Sequence, residues 1–396
     1  MNVVDIRDAA GRIHPHIHLT PLIHSLSFSQ MSGAEIFLKA ENLQKTGSFK
    51  VRGAFNKLIQ LRESQVIAAS MGNHAQAVAF AASRLGKEAT IVMPETVALN
   101  KEEATRSYGA RVVLHGTTLT ESLQYAREQQ TAFIHPFDDP QIIAGQGTIG
   151  LELCRQLENI DTILVPVGGG GLIAGIACAV KELSPATRII GIQTEAAPSA
   201  SRSFTSGTLT AQQPAPTLAD GIAVGQVGRQ TLAIMNQYVD EMMLVDENRI
   251  AEAILLLMER KKLVVEGAGA VPLAALLQYP RHFQGRRVIL LISGGNIDFT
   301  VVDHIIHRGL AANGRITIIT LEIQDVPGSL HKVTGIIADQ RGNILNVHHE
   351  RLVADLPFGF LRAAITIETR GPGHGRTIAA QLENEGYTVL SHQSSP

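Results

Sequence analysis

Apolar positions in the first three hundred residues follow two rhythms. Short runs that are apolar throughout include ATIVMP (89–94), ARVVLH (110–115), DTILVPV (161–167), RIIGIQ (188–193) and RRVILLIS (286–293). They alternate with stretches of helical spacing, such as HAQAVAFAASRLG (74–86), IGLELCRQLENI (149–160) and LIAGIACAVKEL (172–183). Strands without a polar face, separated by helices, are parallel strands covered on both sides. The pattern predicts an α/β region. Segment 197–221, rich in Ser, Thr, Pro and Ala, breaks the rhythm and reads in part as surface loop.

Between Gly309 and Gly314 the pattern changes. RITIITLEI (315–323), NILNVHHERL (343–352), LRAAITIETR (361–370) and YTVLSH (387–392) read as strands. Helices are expected at 328–342 and around 374–386. The order βαββαβ predicts a ferredoxin-like domain. The expected division is 1–312 and 314–396, with a small subdomain of roughly 45–145 inserted in the first part.

Composition narrows the class. Trp is absent and aromatics are 4%, so small aliphatic residues and 36 glycines must pack the core. A net charge of −2 gives no footprint for nucleic acid or an anionic membrane. Cys154 and Cys178 lie in apolar runs and read as buried hydrophobes, consistent with a reducing cytoplasm and with no metal site. No secretory signal or membrane span is expected.

Candidate chemistry sits at glycine-rich points. In ENLQKTGSFKVRGAFNKL (41–58), Lys50 opens a helix between Phe49 and Val51. Burial and the positive helix end both disfavour its ammonium form, which suits Schiff-base chemistry. A lysine that merely reaches solvent fits the segment as well. In ASMGNHAQAVAFAA (69–82), Asn73 fits an N-cap, and the Gly72–His74 turn offers N–H groups to a carboxylate. Gly168, Gly169, Gly170 and Gly171 lie between an apolar run and a helix. Such a run loses much backbone entropy on folding, which is reasonable where successive N–H groups wrap a phosphate. Ser293 in LLISGGNID (290–298) stands at a strand's C-terminal end, where ligands of open α/β sheets bind.

Together these segments resemble the threonine and serine dehydratase group of pyridoxal-phosphate enzymes, the tryptophan-synthase-β-like fold (fold type II, two parallel-sheet subdomains). The likeness covers roughly 1–312 and rests on SFKVRGA (48–54), GNH (72–74), GGGGL (168–172) and SGGN (293–296). It implies deamination of L-threonine to 2-oxobutanoate and ammonia by loss of water, with L-serine as a further substrate. It implies that Lys50 holds pyridoxal 5′-phosphate as a Schiff base and later takes the Cα proton. Asn73 would meet the 3′-hydroxyl, Gly168 to Gly171 the phosphate, and Ser293 the ring nitrogen, with Phe49 and Leu172 beside the cofactor. Ser70, Gly72, Asn73 and His74 would form the substrate loop. The cofactor phosphate would protonate the leaving hydroxyl.

Two positions depart from the group. Met71 stands where racemase-like members carry Ser, which argues against racemisation and leaves the substrate preference open. Gln193 stands where they tend to carry a cation-binding Glu, with Glu195 nearby. Glu266 in VVEGAGAVPL (264–273) fits an approach to the cofactor and a helix cap equally.

Residues 314–396 resemble the ACT domain, a module that binds small amino acids, through Asp325, Pro327, Gly328 and Leu330. The likeness implies an amino-acid effector, with isoleucine or valine as candidates, and a homodimer or homotetramer. A dimerisation module that binds nothing is the alternative. Rival functions are a serine or other 3-hydroxyamino-acid ammonia-lyase, and a catalytically silent amino-acid sensor.

Overall fold

A computed structural model describes residues 1–312, 314–351 and 356–393. Leu352, expected to end a strand, and residues 394–396 of the C-terminal region lie outside the described residues. The chain divides into two compact units, Met1–Ile297 and Asp298–Pro396. The Phe299–Ala312 helix groups with the second unit, although the sequence pattern joins it to the first.

The first unit holds β1 (Leu22–His24), β2 (Glu35–Ala40), β3 (Gln65–Ala69), β4 (Glu88–Met93), β5 (Arg111–Leu114), β6 (Ala132–Phe133), β7 (Thr162–Pro166), β8 (Arg188–Thr194), β9 (Glu241–Val245) and β10 (Arg287–Ile292). A six-stranded sheet runs β1-β2-β10-β7-β8-β9 and a four-stranded sheet runs β5-β4-β3-β6. Every neighbouring pair is parallel except β1–β2. The four-stranded sheet lies in sequence between β2 and β7.

All but one of the apolar runs become inner strands because helices cover both faces; the run at 110–115 becomes the edge strand β5. Ile163, Val165, Ile289 and Leu291 pack with Ile173, Ile176 and Val180 of the Gly171–Leu183 helix. In the smaller sheet Val66, Ala68, Ile91 and Met93 pack with Ala75, Val78 and Ala79 of the Asn73–Arg84 helix. The aliphatic composition thus builds two cores of small side chains. The C-terminal ends of β3, β7 and β10 lead into Ser70–Gly72, Gly168–Gly170 and Ser293.

Segment 197–221 is loop in part, as expected, since 207–218 carries no helix or strand. It contains the Ser199–Ser206 helix, and Ala211 to Pro214 line the central cavity.

The second unit holds β11 (Ile316–Gln324), β12 (Asn343–Glu350), β13 (Phe360–Glu368) and β14 (Thr388–Gln393). The antiparallel order is β12-β13-β11-β14. Helices Ser329–Asp339 and Pro372–Asn384 follow β11 and β13. Ile319, Leu321, Ile365 and Ile367 pack with Val333, Ile337, Ile378 and Leu382.

Candidate active site

One cavity of about 940 Å³ gathers the loops of both sheets of the first unit. Lys50, Phe49, Ser70, Met71, Gly72, Asn73, His74, Gly168 to Gly171, Leu172 and Ser293 all line it. The sequence-predicted residues of the first unit therefore share one space.

Lys50 is the first residue of the Lys50–Gln60 helix. Its Nζ donates to the Pro136 carbonyl at 2.9 Å and lies 5.3 Å from the Phe49 ring centre. Burial lowers its pKa to about 8, against the opposing pull of Glu266. The amine is therefore within reach of neutrality near physiological pH.

Two residues further on, Arg52 is fully buried. It donates to Glu41 Oε2 and Oε1 at 2.8 and 2.7 Å, and to Glu152 Oε1 and Oε2 at 2.6 and 3.0 Å. Lys39 joins through Glu152 and Gln156. The two carboxylates raise the guanidinium pKa against its desolvation. Breaking one partner of such a group leaves an uncompensated buried charge, so this network fixes the helix that carries Lys50.

Asn73 corrects one expectation. The N-cap of its helix is Gly72, and Asn73 occupies the first helical position. Its Nδ2 donates to Glu266 Oε1 and Oε2 at 2.8 and 3.0 Å, and its Oδ1 accepts from Asn296 Nδ2 at 2.7 Å. Glu266 makes no side-chain cap either, although it sits before the Gly267–Gln278 helix. The residue is only 5% exposed, and burial pushes its pKa up to about 7.

His74 Nε2 donates to the Ile134 carbonyl at 2.9 Å. Burial, with Lys50 nearby, lowers its pKa to about 3, so it is neutral. Its edge toward Ile134 is thereby committed to the backbone.

The glycine loop ends at Gly170, whose φ of +88° places it in the left-handed region. Gly169 has no room for a side chain because an added Cβ would overlap the Phe137 ring. Its carbonyl accepts from Gly228 N–H at 3.2 Å and Thr231 Oγ1 at 2.8 Å. The N–H groups of Gly168, Gly169 and Gly170 have no backbone acceptor among the described residues. They lie at a helix N-terminus, where partial positive charge favours an anion.

Ser293 ends β10 and is 2% exposed. Its carbonyl accepts the Phe49 N–H at 3.1 Å, which ties the lysine segment to this strand.

The segment Ile134–Asp139 escaped the sequence reading. Its carbonyls hold His74 and Lys50, and Phe137 packs on Gly169 and Gly171. The Asp138 carboxylate accepts from the N–H groups of Arg229, Gln230 and Thr231 at 2.9 to 3.2 Å. Asp139 caps the Pro140–Gln156 helix and pairs with Lys57 at 2.7 Å. An Asp-Pro pair before an apolar helix signals a cap; nothing local signals the other contacts.

Gln193 is buried, and its Oε1 accepts from the Ser201 N–H at 3.0 Å. No cluster of three or more His, Cys, Asp or Glu side chains is placed to hold a metal among the described residues. No helix among them is long and apolar enough to cross a membrane.

Comparisons with known proteins agree with this geometry. The family described as pyridoxal-phosphate dependent enzyme matches residues 13–294. An L-threonine ammonia-lyase of Thermotoga maritima is 45% identical over 393 residues, 97% of this chain and 98% of its own length. One from Geobacter sulfurreducens is 46% identical over 392 residues, with the same coverage. A solved T.th. threonine deaminase superposes with a TM-score of 0.72 at 45% identity, covering 76% of this chain and 99% of that one. The chain belongs to the pyridoxal-phosphate-dependent enzyme family, and its first unit has that family's fold type II architecture. The residues present fit the cofactor: a buried amine of lowered pKa, a run of glycine N–H groups for a phosphate, and a strand-end serine face one cavity.

Proposed function

We propose that this chain deaminates L-threonine to 2-oxobutanoate and ammonia, with L-serine as a slower substrate. The observation that carries the reading is the Lys50 amine, which lines one cavity with the glycine loop and has its pKa lowered to about 8. The threonine ammonia-lyases that match nearly the whole chain support the choice of substrate.

Lys50 would hold pyridoxal phosphate through Nζ, with the N–H groups of Gly168 to Gly171 toward its phosphate and Phe49 and Leu172 beside it. The Ser293 hydroxyl would face the ring nitrogen. Asn73 spends its Nδ2 on Glu266, which leaves a lone pair of Oδ1 for the 3′-hydroxyl. When bound, the cofactor supplies an electron sink for charge developing at Cα.

The protein's own groups do the rest. Ser70, Gly72, Asn73 and His74 line the cavity and would bound its substrate end. Once the substrate amine has replaced it on the cofactor, the freed Lys50 amine, with a pKa near operating pH, would take the Cα proton as general base. With the β-hydroxyl lost as water, the free enamine product would tautomerise in solution to an imine, whose hydrolysis takes up one water and gives 2-oxobutanoate and ammonia. Met71 lines the cavity without a hydroxyl, so no side-chain proton donor stands at this position for racemisation.

We assign residues 1–312 to catalysis and 314–396 to an ACT-type regulatory domain, in a cytoplasmic homodimer or homotetramer. Support for the second assignment is the βαββαβ order and Gly328, whose φ of +91° opens the Ser329–Asp339 helix. Asp325 is paired with Arg351 at 3.0 and 3.1 Å, so an effector near Asp325, Pro327, Gly328 and Leu330 would meet a neutralised carboxylate. Calorimetry of the full chain with isoleucine and valine tests this, and no heat with either sinks it.

The catalytic reading is tested by absorbance of the holoenzyme before and after L-threonine, with 2-oxo acid release followed in parallel. A cofactor band that responds to threonine, 2-oxobutanoate formation, and loss of both in Lys50→Ala are expected. A band with no product from threonine moves the substrate to another hydroxyamino acid. No band after incubation with pyridoxal phosphate defeats the reading.

A further inference from the structure

His135 lines the same cavity and has no role in the chemistry above. Its Nδ1 accepts from two backbone groups, the N–H of Phe137 at 3.2 Å and of Asp138 at 2.8 Å. An imidazole nitrogen that accepts carries no proton, so the neutral ring holds its proton on Nε2. The ring is fixed edge-on between Phe133 and Phe137, with centroids 6.1 and 4.7 Å away. Nε2 makes no hydrogen bond among the described residues and is not one of the buried orphan atoms. It is an oriented, accessible donor.

The charges around it favour an anion. Burial lowers the His135 pKa to about 4; Asp138 and Asp139 oppose that shift, and Arg127 and Lys50 reinforce it. Asp138 is spent on the Arg229–Thr231 N–H groups, and Asp139 on Lys57 and its helix cap. Arg127 stacks over Phe133 at 5.6 Å and also lines the cavity. His74, at the end of the Ser70–His74 loop, feels the His135 ring. The donor therefore lies within electrostatic reach of the Arg127 cation and of His74 on the proposed substrate loop.

We infer that His135 is a further substrate-binding residue, whose Nε2–H donates to the α-carboxylate of the amino acid. The carboxylate is the one anionic group of threonine. The inference rests on the function proposed above.

The test uses holoenzyme titrated with L-alanine, which has no leaving group, and with L-alaninol, which has no carboxylate. The cofactor absorbance reports each Kd. H135N keeps an oxygen near the Nδ1 position for the turn and lacks the Nε2 donor. A hydrogen bond to a charged group corresponds to about a 10- to 100-fold change. L-alanine is expected to bind that much more weakly to H135N, with L-alaninol nearly unchanged. For L-threonine, KM is expected to rise more than kcat falls. H135Q, whose amide reaches the Nε2 position, is expected to recover part of the L-alanine affinity.

Equal L-alanine affinity in wild type and H135N overturns the proposal. So does an equal loss of both ligands, which marks a structural effect. If H135N does not fold, H135Q decides: a wild-type ratio of the two affinities supports the donor, and a collapsed ratio overturns it. A wild-type holoenzyme without spectral response to L-alanine or L-threonine defeats the underlying function, and the proposal with it.

Discussion

The Asn73 amide nitrogen lies 2.8 and 3.0 Å from the two carboxylate oxygens of Glu266, joining residues 193 positions apart. This contact links the Ser70–His74 loop of the smaller sheet to the larger one. It also makes the loop sensitive to the proton on Glu266, because a protonated oxygen no longer accepts fully from Asn73.

Glu266 has its pKa raised to about 7 by burial. Threonine turnover is therefore expected to fall as pH drops through about 7. Glu266→Gln, which does not titrate, should lose the step near pH 7 and keep the fall that Lys50 sets near pH 8. A pH profile of kcat/KM checks it, and an identical limb in the variant counts against the link.

The same group has an opposite effect on stability. Its folded pKa lies above the ordinary value of 4.5. Its contribution is fully present below that value and is lost as pH rises through about 7. Relative to Glu266→Gln, the wild type should lose up to roughly 3 kcal/mol between pH 4 and pH 9. Denaturant unfolding at the two pH values measures the difference.

Arg52→Met removes the guanidinium from buried Glu41 and part-buried Glu152, leaving Lys39 beside Glu152. A loss of about 3–5 kcal/mol is expected. The same denaturant curves read it, and a loss below about 1 kcal/mol would contradict a structural role for the network.

Gly169→Ala would force the new methyl into Phe137, whereas Gly72→Ala has nothing within 4 Å of its added carbon. Gly169→Ala should weaken pyridoxal-phosphate binding at least about tenfold, since the loop must shift by a few tenths of an ångström or more. Gly72→Ala should leave the unfolding midpoint close to wild type. Fluorescence titration with the cofactor and a thermal melt separate the two.

Asp138→Ala removes a cap shared by three N–H groups of the Arg229–Tyr238 helix. A cost of about 1–2 kcal/mol is expected. Amide hydrogen exchange should rise first at Arg229 to Thr231; uniform exchange across the unit would contradict a local cap.

The repeating parts of this fold were readable because their causes are local. Apolar runs at 161–167 and 286–293 become β7 and β10, since both faces of each strand are covered. Lys50 and the glycine run were legible for a similar reason, as each sits at a turn between a strand or loop and a helix. Asn73 was misread as a cap because its partner lies in a distant segment and leaves no mark near residue 73. The role of Arg52 depends on Glu41 and Glu152, which are brought together only by packing. His135 and Asp138 belong to a short link after β6, where neither periodicity nor glycine draws attention.

The order of strands in the larger sheet has a consequence for synthesis on the ribosome. β10 lies between β2 and β7, yet it is made last of the three. Until residues 287–292 emerge, β2 has no parallel neighbour and β7 is open on one side. Pairing across about 250 residues is slow and leaves strand edges exposed meanwhile. Ser293 arrives with that strand, so the sheet and the active site are completed in the same late event.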